Sequence, residues 1–229
     1  MREPVDALKV LLTKLNKKMV VVESGELCCG SVLYTTGQAR RAAGNKKEVE
    51  KFLTKYKITE MVLLCPGCLR TFHEYYIPRK SNPLKKVYHY TQLLTEDLEA
   101  LEFKSPPRAR ERTVTYHDPC HLGRHMGIYD EPRILLKNIP NTKFVELPTS
   151  CDSAFCCGSG GGVRALNKEL ADNTSALRLK EALSIGAEYL VTSCPFCERS
   201  FYSAQESDRS LKQIKVVNLA VFIKQNLRS

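Results

Sequence analysis

Nine of the ten cysteines in this 229-residue chain fall into two series of nearly equal spacing. Cys28-Cys29-Gly30 is followed by Cys65-Pro66-Gly67-Cys68, and Cys156-Cys157-Gly158 by Cys194-Pro195-Phe196-Cys197. Between the glycine and the next CxxC stand 34 residues in the first series and 35 in the second, which marks a tandem duplication. Cys120 adds a fifth thiol to the second series. Cys151 lies outside the repeat and reads as a buried or incidental thiol. Thiolates bind soft metal ions and exchange electrons, so the pattern points to metal or redox chemistry.

The number of thiols narrows this further. One zinc ion takes four ligands, usually from two CxxC knuckles, and adjacent cysteines do not easily both reach one tetrahedral ion. Cys120, Cys156, Cys157, Cys194 and Cys197 suit a polynuclear iron-sulfur cluster, in which a vicinal pair can bind different irons and a fifth thiolate can bridge. Cys28, Cys29, Cys65 and Cys68 suit a second cluster or zinc. Gly158 and Gly160-Gly161-Gly162 permit positive φ and leave backbone N–H groups free to face anionic sulfur. Pro195 opens a helix whose N-terminal dipole favours the same charge. The glycine run lacks the Gly-Lys-Ser/Thr ending of a phosphate-binding loop, and Val163 replaces the last glycine of GxGxxG.

Alternating strands and helices must position these thiols. The apolar spacing predicts a helix over 5–18, a buried strand at Met19 to Val22, a helix over Gln38 to Tyr56 and a strand from Met61 to Leu64 that ends at Cys65. A helix from Leu69 to Tyr76, a strand from Lys86 to Tyr90 and a helix from Gln92 to Leu101 follow, then a linker at 104–108. The second half repeats the order. Strands are expected at Thr113 to Tyr116, Lys143 to Leu147, Tyr189 to Thr192 and Lys215 to Val217, with helices at Glu131 to Asn138 and Val163 to Leu183. The fold class is therefore α/β with small parallel sheets, its cysteine loops gathered at the carboxyl ends of the strands. Residues 1–108 and 109–229 form the two halves. Shifting Cys120 back by the repeat puts its counterpart near position −8, so the first copy is expected to be truncated or reduced to a four-cysteine site.

Composition excludes several classes. The chain is 43% hydrophobic and can bury a core without disulfides. No signal peptide or membrane-length apolar run occurs, which predicts a cytoplasmic protein whose membrane attachment, if any, is through a partner subunit. The net charge of +10 is spread over helices with interleaved Glu and forms no basic stripe with stacking aromatics, so nucleic acid is not an expected partner.

The stretches His117-Asp118-Pro119-Cys120-His121-Leu122-Gly123-Arg124, Phe155 to Arg164 and Ser193-Cys194-Pro195-Phe196-Cys197 resemble the CCG, or cysteine-rich domain, family. That family includes catalytic subunits of heterodisulfide reductases and iron-sulfur subunits of glycolate, lactate and glycerol-3-phosphate oxidation systems. The resemblance implies two tandem Rossmann-like CCG half-domains and a non-cubane 4Fe-4S cluster on the five cysteines of the second. It also implies an iron-sulfur or flavoprotein subunit as electron donor, and a small thiol or disulfide, or an electron carrier, as the other reactant. His121 is a candidate proton donor to a leaving thiolate, against the default of a hydrogen-bonded loop histidine. Two rivals stand: a non-catalytic zinc or cluster assembly module, and a metal-free dithiol enzyme that uses CPGC or CPFC directly.

Overall fold

A computed structural model describes residues 2–21, 28–77, 82–105 and 110–228. In chain order the elements are α1 (Arg2–Lys14), α2 (Ser31–Thr35), α3 (Ala39–Lys55), β1 (Glu60–Leu63), α4 (Pro66–Tyr75), β2 (Lys86–His89) and α5 (Tyr90–Glu96). There follow β3 (Arg112–His117), α6 (Asp130–Lys137), β4 (Thr142–Phe144), α7 (Val163–Leu166), α8 (Lys168–Ser184), β5 (Tyr189–Thr192), α9 (Pro195–Ser207), β6 (Lys215–Asn218) and α10 (Leu219–Asn226). All strand pairs are parallel, in one sheet of order β1-β2 and another of order β4-β3-β5-β6.

The duplication is structural as well as sequential. A shift of 129 residues carries α3 onto α8, β1 onto β5 and β2 onto β6, and the first residues of α4 and α5 onto those of α9 and α10. Register repeats too, with Glu60 opposite Lys86 and Tyr189 opposite Lys215. Among the described residues the first half has no counterpart of β3 or β4.

The halves exchange helices across a shared core. Ala7, Leu8, Leu11, Leu12 and Leu15 recur at helical spacing and face α10 of the second half, whose residues from Leu219 to Ile223 are all buried. Reciprocally, α6 of the second half packs on α5 of the first. One apolar cluster accordingly runs from Ala7 through Tyr90 and Tyr116 to Leu227.

Three expectations need correction. Met19 to Val21 form no strand and are exposed, Val20 to 92%, while Val22 lies outside the described residues. β-branched composition favours a strand only where a neighbour supplies the ladder, and no described strand runs beside this segment. The helix expected over Val163 to Leu183 is broken at Asn167, whose backbone is non-helical and whose side-chain oxygen accepts from the Leu170 N–H, capping α8 afresh. The helix expected over 5–18 runs instead from Arg2 to Lys14, and Val5 within it is exposed. The linker at 104–108 lies largely outside the described residues.

Candidate metal centre

Cys120 and the Cys194–Cys197 motif sit just beyond the ends of β3 and β5. Cys120 follows β3 on a tight turn in which Leu122 and Gly123 both donate to the Pro119 carbonyl. Cys194 caps α9, Pro195 takes its first position, and Cys197 follows within the first turn. The Cys156-Cys157 pair is pinned between α8 and α9, because Ser175 and Ser200 both donate to the Cys157 carbonyl, at 2.6 and 3.0 Å. Gly158 is obligatory here. Its φ is +82°, and a Cβ would stand 2.7 Å from Thr174 Cβ and 2.8 Å from the Ala171 carbonyl oxygen.

This scaffold places all five sulfurs in a chain of contacts: Cys120 to Cys156, Cys156 to Cys157, Cys157 to Cys197 and Cys197 to Cys194. Thiols so crowded cannot all ionise unaided. Cys156 is held well below the ordinary thiol range by hydrogen bonds from Cys120 and then Cys157. Cys120 is pushed up by donating to Cys156, and Cys157 is pushed up to about 12 by its bond to the same sulfur.

In the first series Cys29, Cys65 and Cys68 converge, Cys68 donating to both neighbours and pushed up by them. Cys28 is exposed, its sulfur accepting from the Gly30 N–H at 3.4 Å, the same contact that Gly158 makes with Cys156. Cys65 reaches across to Cys194, and this contact, followed by the one from Cys68, holds the Cys65 thiol well below its ordinary range. The two sulfur sets therefore meet at a seam.

His121 lies over that seam. A Cβ on Gly67 would come within 3.1 Å of its Nδ1 and 3.6 Å of Cys65 Sγ, so glycine in CPGC makes room for a histidine from the other half. The equivalent position in CPFC is Phe196, which is largely exposed. Burial, then the Arg70 cation and His125, depress the basicity of His121. Arg70 Nη1 and His125 Nε2 are 3.2 Å apart, and the His121 and His125 rings meet edge to face. Arg124 braces the loop before Cys156 by donating to the carbonyls of Asp152 and Ala154, and Arg164 pairs with Asp172.

His89, where β2 ends, ties the two strands of the first sheet. Its Nε2 is 3.3 Å from the Leu64 carbonyl and its Nδ1 2.8 Å from Thr91 Oγ1. Burial holds it neutral, with its pKa lowered to about 4. An unfolded histidine takes up a proton near pH 6.5, so as pH falls from about 6.5 to about 4 only the unfolded chain gains the charge, and stability declines. The repeat places Asn218 at the matching position. His89→Asn should therefore make the loss of stability across this window shallower by about 1.4 kcal/mol per pH unit in urea titrations. An unchanged slope would refute this account.

Three charged or polar groups around the second set went unannounced in the cysteine pattern. His117 is the buried last residue of β3, and its ring nitrogen and the sulfurs of Cys157 and Cys197 lie within 4.8 Å of one another. Arg178, on α8, is 0% exposed, donates to Thr149 and Glu181, and places Nε 3.4 Å from His117 Nδ1. Arg133 makes a bidentate pair with buried Asp118, two residues before Cys120. A signal for Arg178 existed: it shares a helical face with Ala171, Ser175 and Ala182, where a charge is out of place unless paired. The residues fit an iron-sulfur group on the chemistry of the donors, five soft sulfurs sharing protons beside buried N–H groups without acceptors.

A family model described as the cysteine-rich domain, CCG, matches residues 1–73 and 114–202, and the chain belongs to that family. It is similar to a component of the dihydromethanophenazine:CoB–CoM heterodisulfide reductase of Methanosarcina acetivorans, at 35% identity over 226 residues, covering 95% of this chain and 53% of the relative. It also resembles a component of the fumarate reductase (CoM/CoB) of Methanothermobacter marburgensis, at 32% identity over 87% of this chain and 38% of the relative. EtfAB:quinone oxidoreductase of Syntrophomonas wolfei matches at 29% identity over 94% of this chain and 30% of the relative. The chain spans about half the length, or less, of these curated relatives. No helix among the described residues is long and apolar enough to cross a membrane.

Proposed function

We propose that the chain is the cysteine-rich part of an iron-sulfur oxidoreductase, built from two CCG copies (1–108 and 109–229), that delivers electrons to a disulfide. Cys120, Cys156, Cys157, Cys194 and Cys197 would hold a 4Fe-4S cluster of the non-cubane kind, and Cys28, Cys29, Cys65 and Cys68 a second cluster or zinc. A cluster bound there supplies one-electron chemistry, which a thiol alone does not. The observation that carries this reading is the convergence of both sulfur sets at the Cys65–Cys194 seam beneath His121.

Reducing a disulfide consumes two electrons and two protons. His121, weakly basic among Arg70 and His125, would pass a proton to a thiolate leaving the seam, and Arg70 would add positive charge there for an anionic thiol. The electrons come from a partner iron-sulfur or flavoprotein subunit. Both the free thiols and the cluster belong in a reducing, cytoplasmic compartment, with any membrane contact made by the partner. The similarity to EtfAB:quinone oxidoreductase favours a second reading, in which the same sites relay electrons between a flavoprotein and a quinone, as in glycolate, lactate or glycerol-3-phosphate dehydrogenase complexes.

Anaerobic purification with assays for iron, acid-labile sulfide and zinc tests the metal assignment. About four irons with matching sulfide are expected on the second set. One zinc beyond these would assign zinc to the first set, and zinc without sulfide would overturn the redox reading. Oxidation of reduced viologen by an added disulfide then separates reductase from relay.

A further inference from the structure

Two buried donors beside the five-cysteine set have no acceptor. His117 Nε2 and Arg178 Nη2 are wholly enclosed and have no hydrogen-bond partner among the described residues. Unpaired polar groups at such depth are costly, and His117 shares the neighbourhood of Cys157 and Cys197, so its free donor calls for an acceptor there. We infer that His117, oriented by Arg178, donates a hydrogen bond to an iron-sulfur cluster held by Cys120, Cys156, Cys157, Cys194 and Cys197 and raises its reduction potential. This inference rests on the cluster assignment made above.

The tautomer follows from the contact between the two side chains. Arg178 Nε carries a hydrogen and no available lone pair, so at 3.4 Å it donates and His117 Nδ1 accepts. A neutral imidazole then keeps its proton on Nε2. In this form Nε2 is a donor and not a metal ligand, although a ring nitrogen of His117 shares the neighbourhood of Cys157 and Cys197. The edge of Phe201 against the ring and the anchoring of Arg178 by Thr149 and Glu181 fix both donors in place. A donor next to cluster sulfur, polarised by a cation behind it, stabilises the extra electron, which raises the potential.

The duplication supplies an internal comparison. The residue matching Arg178 on α3 is Val49, buried in an apolar cluster. The arginine that orients His117 is thus a feature of the five-cysteine copy.

The test is a redox titration of the full chain, followed by electron paramagnetic resonance, with iron and sulfide counted in the same samples. In His117→Leu the ratio of reduced to oxidised cluster at a fixed poise should fall about tenfold, a shift of ~59 mV to more negative potential. His117→Gln, whose amide can still donate, should recover most of the shift. An unchanged potential in a fully loaded His117→Leu chain overturns the inference and leaves the cluster assignment standing, whereas wild-type protein without iron and sulfide overturns both. If His117→Leu does not load, pulsed resonance of wild-type protein labelled with 15N-histidine decides. Weak coupling from one imidazole supports a donor; strong coupling from a bound nitrogen, or none, refutes it.

Discussion

Cys194→Ser is expected to strip the five-cysteine set of its iron and sulfide and to change what the first set holds. Cys194 is buried, begins α9, and touches Cys197 of its own series and Cys65 of the other. Serine keeps the cap but offers a harder, less acidic donor than sulfur, a poor exchange at a cluster. Cys65 also loses the thiol that does most to keep it ionised, so its own site should load less or lose selectivity. Cys151→Ser is the control. That cysteine has positive φ and donates its N–H to Asp118, and its sulfur is outside the contact chain, so iron and sulfide should stay at the wild-type level. Full iron and sulfide in Cys194→Ser would remove it from the ligand set.

Arg133→Met should cost about 3–5 kcal/mol of stability, enough to threaten folding. Arg133 and Asp118 are both buried, joined by two hydrogen bonds of 2.7 and 2.9 Å, and Arg133 also holds Glu146 and the Tyr129 carbonyl. Removing the cation leaves Asp118 charged and enclosed, which is worse than having no pair at all. The damage falls on the turn that carries Cys120. Adding Asp118→Asn should recover part of the loss, because the amide oxygen can still accept from the Cys151 N–H. The urea midpoints of the single and double variants measure this, and equal midpoints would show that the stranded charge is not the cause.

What the sequence disclosed depended on how local the physics was. Cysteine spacing, glycine placement and the strand-ending CxxC motifs each act over a few residues, and β1, β5 and β6 fall within a residue or so of their expected places. Met19 to Val21 mislead because a strand is a property of its neighbour as much as of its own side chains. The break at Asn167 is hidden by an apolar rhythm that continues through it, although Asn is a good cap. The seam could not be foreseen, since Cys65 and Cys194 are 129 residues apart and meet only through the packing of two sheets. His121 illustrates the same limit: nothing near it in sequence says that its ring rests above Gly67.

The exchange of α1 and α6 between halves has a thermodynamic consequence. With α1 lying on α10 and α6 on α5, neither copy can unfold without exposing the apolar face of the other. Metal binding to either sulfur set then enters a common folding equilibrium. Filling one set raises the melting temperature of the whole chain, and emptying it by a chelator weakens the grip of the other set even where no ligand is shared. If both sets hold metal as proposed, the scaffold itself couples the two centres, and their occupancies should rise and fall together.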